Sequence, residues 1–422
     1  MLIIPFSTAV AAQKSDDITW QRGTGEAPAA APTAQMPQAP AVQYDPSEGQ
    51  VPAALQRWKM LSAPGNFSFG EYAAFLMRYP DWPNSDEMRK NAEQAINPLS
   101  LSPSQVVAFF DRLPPLTNAG RARFAIALHA SGDTSRAEEQ ARAAWRGGSL
   151  NDDDEARMFR IAGNRFTSAD HDARVDRLLW SGSTRGAERW IAYTSPQRRP
   201  AFIAALATRL KAADADQKVQ DAGALANSEA TLIAARADSM RSTGNSIGAR
   251  ELLANRANLA APAPVLKDWY QLLLTHAQAA ANDGQYDVAY RIASRVDDAT
   301  PRGLIMVDQD IATRDRYTSL TWLAGMTAME RLGRPGDAVA MFERYASAAK
   351  SAQTRSKGLH FAGKAAAKAG DQASATRYHE QAAAYYESFF GQLSLEQLRR
   401  PLPQVPRITP AAPVLAEGTI PA

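Results

Sequence analysis

Residues 322–342 read WLAGMTAMERLGRPGDAVAMF, and residues 385–393 read YYESFFGQL. Within the first stretch, four residues fall at nearly the intervals of a tetratricopeptide repeat: Trp322, Gly325, Ala338 and Phe342. In that pattern a bulky side chain of one helix fills the space beside small residues of the next helix. A second such unit follows, with Phe361, Gly363, Ala375 and Tyr378. Because one helical hairpin cannot bury its apolar face alone, these units predict a stack of hairpins.

The pattern extends outward from this stretch over most of the chain. Turn glycines recur at irregular intervals of 37 to 62 residues, at Gly132, Gly182, Gly244, Gly284, Gly333 and Gly370. Alternating apolar and polar runs, which are typical of strands, are scarce. We therefore predict an all-α fold, an irregular α-superhelix or solenoid of tetratricopeptide-like hairpins shaped as a ring or an arc. With helices of ordinary length, such a chain contains roughly 18 to 22 of them.

Two helices are predicted in detail. Ser102 and Pro103 are typical of a helix start, and Gln105 is placed for a capping box. One apolar face of that helix is formed by Val106, Phe109, Phe110 and Leu113. The second helix follows Ser195-Pro196, and the same spacing predicts one apolar face of Ile203, Leu206, Ala207 and Leu210.

Composition predicts four segments. Residues 1–12 combine an apolar run with small residues, which is typical of the remnant of an export signal. Residues 13–50 form a disordered Ala/Pro-rich linker, since 11 of the 16 residues from Ala27 to Val42 are Ala or Pro. The α-superhelical domain covers residues 51–399, and residues 400–422 form a Pro-rich tail. No run approaches the roughly 20 apolar residues of a membrane span.

Charge and cysteine content exclude several functions. The net charge is +3, and basic residues form neither a block nor a stripe with interleaved aromatic residues, so nucleic-acid binding is not expected. The chain has no cysteine, which excludes disulfides, a cysteine nucleophile and thiolate metal ligands. Absence of cysteine fits an oxidising compartment, although some cytosolic proteins also lack cysteine.

Potential chemical sites have simpler interpretations. The five histidines contain no pair at helical metal-site spacing; they are His129, His171, His276, His360 and His379. His276 shares an apolar helix face and is interpreted as a satisfied core residue. The acidic run Asn151–Glu155 lacks the alternating ligands and central glycine of a calcium loop. It is interpreted as a helix start, where acidic residues oppose the positive end of the helix dipole.

No nucleophile elbow, phosphate-binding loop or dinucleotide fingerprint is present. The sequence therefore predicts no catalytic residue, no cofactor or cofactor-binding residue, and no metal ligand. Arginine and tryptophan side chains at the surface are the first candidates for ligand contacts, because arginine pairs with carboxylates and tryptophan stacks on sugars. Tryptophan at these helical positions is more often a core residue.

Nine short motifs lie between residues 50 and 400. The N-terminal motifs are RYPDWP at 78–83, MR at 88–89, and AEQA at 92–95. The middle motifs are AW at 144–145, ADH at 169–171, and RLLW at 177–180. The C-terminal motifs are WLAG at 322–325, GKAA at 363–366, and FFGQL at 389–393. In this order the motifs resemble the superhelical domain of soluble lytic murein transglycosylases, which usually have Phe-Tyr-Gly-Gln-Leu at the position of FFGQL.

This resemblance implies a periplasmic protein that acts on peptidoglycan glycan strands. The family's enzymes cleave the β-1,4 bond between N-acetylmuramic acid and N-acetylglucosamine and form a 1,6-anhydro product. One glutamic acid serves as acid and then as base, unlike the usual pair of carboxylates. In the family this residue lies in a lysozyme-like domain C-terminal to the superhelix, in a Glu-Ser context with a Gly-Leu-Met-Gln motif after it.

Glu387-Ser388 lies inside the last predicted hairpin, and no Gly-Leu-Met-Gln follows it. Glu387 is therefore interpreted as a solvated helix position. The expectation is a non-catalytic superhelical portion, with the lysozyme-like domain absent and with other envelope proteins as further possible partners. The alternative is a stand-alone periplasmic scaffold that binds proteins or peptides through its repeats. A cytoplasmic regulator is a third interpretation, and export with a mature start near Gln13 would exclude it.

Overall fold

The computed structural model describes residues 50–98 and 100–403. The predicted export remnant, the linker up to residue 49 and the tail from residue 404 lie outside the described residues.

Every regular element in the described part of the chain is helical, which confirms the predicted all-α class. It holds 20 α-helices, within the predicted range. The first ten are α1 (Gln50–Ser62), α2 (Phe69–Arg78), α3 (Ser85–Ala95), α4 (Pro103–Arg112), α5 (Asn118–Ala130), α6 (Thr134–Arg146), α7 (Asp152–Ala162), α8 (Ser168–Trp180), α9 (Thr184–Trp190) and α10 (Arg199–Leu210).

The other ten are α11 (Ala215–Asp221), α12 (Ala230–Ser242), α13 (Ser246–Ala254), α14 (Leu266–Asn282), α15 (Tyr286–Ala293), α16 (Ile311–Glu330), α17 (Pro335–Ser347), α18 (Ala352–Lys368), α19 (Gln372–Ala383) and α20 (Phe389–Gln397). Short 3₁₀-helices occupy Gly163–Arg165, Ile191–Tyr193, Gly223–Asn227, Val296–Ala299 and Met306–Asp308.

The helices belong to two compact units. The longer unit, Pro46–Ala348, contains α1 to α17, and the described part of the shorter unit, from Ala349 onward, contains α18 to α20. Within the longer unit each helix packs mainly against the next one or two along the chain, for example α5 against α6 and α7. Such packing between sequence neighbours is the arrangement of a solenoid.

The predicted glycine turns separate paired helices. All six glycines have a positive φ, for example 84° at Gly132 between α5 and α6. Glycine adopts this left-handed conformation without the steric cost of a Cβ atom, so it ends one helix and reverses the chain. Asp133 then caps α6 by accepting a hydrogen bond from the Arg136 backbone N–H at 3.2 Å.

The prediction for α4 is confirmed for its face and is wrong for its cap. All four residues of the predicted apolar face are buried. Ser102 precedes the helix and Pro103 occupies the first turn, but Ser102 makes no side-chain cap hydrogen bond. Its hydroxyl lies 2.7 Å from the Ser104 hydroxyl, and this side-chain pairing replaces the capping box.

The predicted apolar face of α10 is confirmed only in part, since Ala207 is buried. Leu210 is exposed, whereas Ile203 and Leu206 are only half-buried. The helix instead buries Ala201, Phe202, Ala204, Ala205, Ala207 and Thr208. Because α10 packs against α8, α11 and α12, small alanines allow these helices to approach closely. Which residues of α10 are buried therefore depends on close helix packing more than on the size of the apolar side chains.

The first tetratricopeptide-like hairpin, α16 and α17, packs as predicted. Phe342 of α17 is fully buried, and its ring centroid lies 5.3 Å from that of Trp322. A Cβ atom added to Gly325 would lie 2.7 Å from Cε1 of Phe342. The absence of a side chain at Gly325 therefore provides the space that Phe342 occupies.

Gly325→Val is expected to destabilise the longer unit by about 1–3 kcal/mol, because the valine would overlap the buried Phe342 ring. Urea unfolding measures the loss. Gly336→Val is the matched control, since nothing lies within 4 Å of a Cβ atom at Gly336 of α17. Equal unfolding midpoints for the two variants would contradict this packing.

In the shorter unit, the second hairpin differs in detail. A Cβ atom at Gly363 would lie 2.8 Å from the His379 ring, so His379 fills the space beside this glycine. His379 and His360 are both buried, with ring centroids 5.3 Å apart. The hydroxyl of Ser394 in α20 lies 2.9 Å from Nδ1 of His360 and 3.4 Å from Nδ1 of His379. One serine thus links two imidazoles from different helices.

This histidine pair predicts that the shorter unit loses stability in acid. Burial, with His379 and Lys364 nearby, lowers the pKa of His360 to about 4. Burial also lowers the pKa of His379, again with Lys364 as a neighbouring positive charge. Below the ordinary histidine pKa the unfolded chain binds protons that the folded unit resists. The free energy of unfolding of this unit is therefore highest above about pH 7 and falls as the pH drops towards 4.

Hydrogen exchange of the amides of α18 to α20 measures this effect. The unit should lose about 2 kcal/mol between pH 7 and pH 4.5 through His360. His360→Leu should flatten the pH dependence, whereas His129→Leu, at an exposed position of α5, should leave it unchanged. A His360→Leu variant with the wild-type slope would show that another group controls the acid response.

Candidate functional site

Six rings from neighbouring helices form what we name the aromatic cluster. Its members are Trp145 of α6, Phe159 of α7, Phe166 before α8, His171 of α8, Trp190 of α9 and Tyr193 of the following 3₁₀-helix. These rings are far apart in sequence, and the packing of α6 against α7 and α8 and of α8 against α9 brings them together. The cluster therefore depends on the hairpin stack for its existence.

Trp145 forms the base of the cluster. Its side chain is completely buried, and its ring stacks on Phe166 at a centroid distance of 4.6 Å. Trp190 packs edge-on against Trp145, also at 4.6 Å. Aromatic pairs in these geometries add stabilisation beyond the area they bury, so the base is rigid.

The outer part of the cluster is open to solvent. Tyr193 is 57% exposed and Phe159 is 46% exposed. Each ring centroid lies 5.6 Å from that of the half-buried Trp190, which therefore joins them into one apolar surface. Large apolar groups at the surface of a well-packed helical stack are typical of binding surfaces.

Glu155 holds the central tryptophan in place. One carboxylate oxygen accepts hydrogen bonds from Nε1 of Trp190 at 3.1 Å and from Arg189 at 2.7 Å. The other oxygen accepts a hydrogen bond from the buried Arg174. The guanidinium of Arg174 in turn lies 4.0 Å above the Trp145 ring, a cation–π contact. The rings are thus oriented before any ligand arrives.

His171 lies beneath the exposed rings. Its imidazole stacks on Tyr193 at 5.3 Å and on Trp190 at 5.7 Å. Burial lowers the pKa of His171, so its neutral form is favoured at neutral pH. Within the described part of the chain, Nδ1 of His171 has no hydrogen-bond partner. The histidine therefore acts as an aromatic ring in the cluster, without a positive charge.

The arginines near the cluster are engaged in ion pairs. Arg189 pairs with Glu155, and Arg165 pairs with Glu138. Asp170 is fully buried, and its carboxylate accepts a hydrogen bond from Nε of Arg146. The other carboxylate oxygen of Asp170 lies 3.6 Å from Nε of Arg142. Each of these cations thus has a carboxylate beside it, and the surface charge is largely compensated.

The sequence-predicted contact residues are only partly located here. Among the seven tryptophans in the described part of the chain, Trp145 and Trp269 are buried and the others are half-buried. The exposed rings of the aromatic cluster are Phe159 and Tyr193, which the sequence analysis missed. The sequence held a signal for Phe159 in its helical spacing. Glu155, Met158 and Ala162 form the buried face of α7, and Phe159 lies beside this face.

The acidic run Asn151–Glu155 is a helix start, as predicted. Asn151 caps α7 by accepting a hydrogen bond from the Asp154 backbone N–H at 2.7 Å. No group of three or more histidine, aspartate or glutamate side chains in residues 50–98 and 100–403 is arranged to hold a metal ion.

His276 is a core residue, and the prediction is confirmed for its burial. It is wrong in one respect, because Nε2 of His276 has no hydrogen-bond partner among the described residues. Burial, with Arg241 and Arg250 nearby, lowers the pKa of His276 to about 4, so the ring is neutral.

Glu387 is exposed, as predicted, but it lies in the turn before α20 and not in a helix. The helix begins later because Ser388 caps it and accepts a hydrogen bond from the Gly391 backbone N–H at 3.1 Å. The Ser388 hydroxyl also lies 2.7 Å from that of Ser356. Ser388 therefore joins α20 to α18, a structural role.

The chain matches no protein-family model and no curated protein. The family resemblance therefore rests on the motifs quoted for it. Within the described segments, no helix is both long enough and apolar enough to cross a membrane.

Proposed function

We propose that this chain is the superhelical, non-catalytic portion of a periplasmic lytic murein transglycosylase and that it binds peptidoglycan. The observation that carries the proposal is the aromatic cluster, in which the exposed rings of Tyr193 and Phe159 both pack against Trp190, which Glu155 holds. Peptidoglycan offers sugar rings with apolar faces, which suit stacking on aromatic side chains. A stack of helical hairpins provides the extended surface on which such a polymer can lie.

The motifs of the family resemblance support the proposal through their packing roles. Glu93 of the AEQA motif is fully buried and accepts backbone hydrogen bonds from Leu116 at 2.6 Å and Thr117 at 2.7 Å. It thereby fixes the start of α5 against α3. Trp145 of the AW motif forms the base of the aromatic cluster. Residues of the motifs that resemble the family's superhelix thus contribute to how these helices pack.

In this proposal, cleavage of the glycan belongs to a separate lysozyme-like domain of the family, and the present chain contributes binding. The carboxylate at the cluster, Glu155, is engaged by Arg174, Arg189 and Trp190. In the proposal, Glu155 therefore has the role of orienting the rings.

A stand-alone protein-binding scaffold is the second candidate function. It is favoured by the segment that leads from α15 into α16, where Ile305 and Ile311 are 61% and 68% exposed. Exposed branched apolar side chains that lie close in sequence suit a protein partner.

A tagged chain incubated with envelope extract distinguishes the two functions. Recovery of the chain with insoluble murein sacculi, without a stoichiometric protein partner, is the expected result. Capture of one protein at equal stoichiometry, with no chain in the sacculus fraction, would replace the proposal with the scaffold. Purified sacculi should release no 1,6-anhydro products when treated with this chain alone.

A further inference from the structure

The charge around the aromatic cluster is informative about its ligand. Four arginines at its edge already lie beside a carboxylate of the chain: Arg142, Arg146, Arg165 and Arg189. An anionic ligand would have to compete with these carboxylates for the same guanidinium groups. The exposed ring surfaces of Tyr193 and Phe159 face no such competition.

We propose that the aromatic cluster is a subsite for the uncharged sugar rings of a β-1,4-linked N-acetylated glycan, stacked on Tyr193 and Phe159, and not for the carboxylates of the stem peptides. This inference rests on the proposed function and specifies which part of peptidoglycan is recognised.

A pyranose ring combines an apolar face of C–H groups with a rim of hydroxyl groups. The cluster matches both features, since exposed rings lie beside hydrogen-bonding groups. Tyr193 carries a hydroxyl, and Arg189 has N–H donors beyond the one that it gives to Glu155. An apolar surface with a few placed polar groups is the usual composition of a small-ligand site.

Rigidity of the cluster favours a weakly interacting ligand such as a sugar. Trp190 is held by Glu155, and Tyr193 rests on the buried His171. Because these rings are already ordered, binding costs little side-chain entropy.

Titration calorimetry with two probes tests the assignment. The first probe is the β-1,4-linked N-acetylglucosamine hexamer, which has no carboxylate, and the second is a free stem tetrapeptide, which has no sugar. We expect binding of the hexamer only. Tyr193→Ala and Phe159→Ala should each weaken it about tenfold, the factor for loss of one stacked ring. Tyr193→Phe should retain most of the affinity, because it keeps the ring.

Matched variants separate stacking from other effects. Phe389→Ala, at a 58% exposed ring of α20, should bind the hexamer like the wild type. Arg160→Ala should also bind it normally, although this exposed arginine adjoins Phe159. Circular dichroism confirms that each variant folds. Binding of the tetrapeptide, with loss on Arg160→Ala, would overturn the sugar assignment.

Failure of this inference is distinguishable from failure of the proposed function. If the wild type and both alanine variants bind murein sacculi equally well, the subsite is wrong and the proposed function stands. If the wild type binds neither sacculi nor the hexamer, both are wrong.

Discussion

Arg198→Met is expected to lower the free energy of unfolding of the longer unit by about 3–5 kcal/mol at pH 7. Arg198 donates hydrogen bonds to Asp176 at 2.9 Å and to both oxygens of Glu229 at 2.9 and 2.7 Å. Both carboxylates are buried. Methionine preserves most of the side-chain volume but leaves two negative charges without their cation.

The charge balance at this position supports that size of effect. Burial acts to lower the pKa of Arg198, but the hydrogen bonds and charges of Glu229 and Asp176 outweigh it and raise the pKa. Burial also raises the pKa of Asp176. Without Arg198 the two carboxylates repel each other, so the defect should shrink as the pH falls and a carboxyl group becomes protonated.

Urea unfolding at pH 7 and pH 5 measures both parts of this prediction. The control is Arg165→Met, because Arg165 pairs with Glu138 at the protein surface and such pairs contribute about 0–1 kcal/mol. If Arg198→Met unfolds at the same urea concentration as the control, the buried triad does not stabilise the stack.

Trp145→Ala is expected to cost about 3–5 kcal/mol, because it empties the base of the aromatic cluster. The side chain is fully buried and contacts Phe166 and Trp190, and Arg174 stacks on its face. Alanine leaves a cavity that the flanking helices cannot close without moving. Thermal and urea unfolding give the stability loss.

Tyr193→Ala provides the contrast, since this ring is largely exposed and its removal should change stability by about 0.5 kcal/mol or less. Glycan affinity should respond to both substitutions, whereas stability should respond only to Trp145→Ala. Equal destabilisation by the two variants would mean that Tyr193 belongs to the core and not to a binding surface.

The sequence predicted the helical class and the turns, because these depend on local signals. Gly132 ends a helix through its own backbone freedom, and Val106, Phe109 and Phe110 define a face by spacing alone. The α10 face was predicted only in part because burial there depends on how near α8 and α12 approach. Residues remote in sequence set that distance. The close approach buries Ala204 and Ala205, whereas Leu210 is exposed.

The candidate site was predicted only by residue type. Tryptophan and arginine side chains were the expected contacts, but the exposed rings are a phenylalanine and a tyrosine, and pairing between distant residues decided which side chains remained available. Arg189 is engaged by Glu155, 34 residues away, and Tyr193 is exposed because His171 fills the space beneath it. His360 and His379 also meet through packing between separate helices, α18 and α19. Their sequence spacing, which is not that of a helical metal site, did not predict this contact.

Co-sedimentation of the purified chain with murein sacculi tests the central claim most directly. The wild type should pellet with the sacculi in a saturable manner, and a Phe159→Ala/Tyr193→Ala double variant that is folded should remain in the supernatant. The account would be contradicted if the folded wild type stayed in the supernatant at every sacculus concentration.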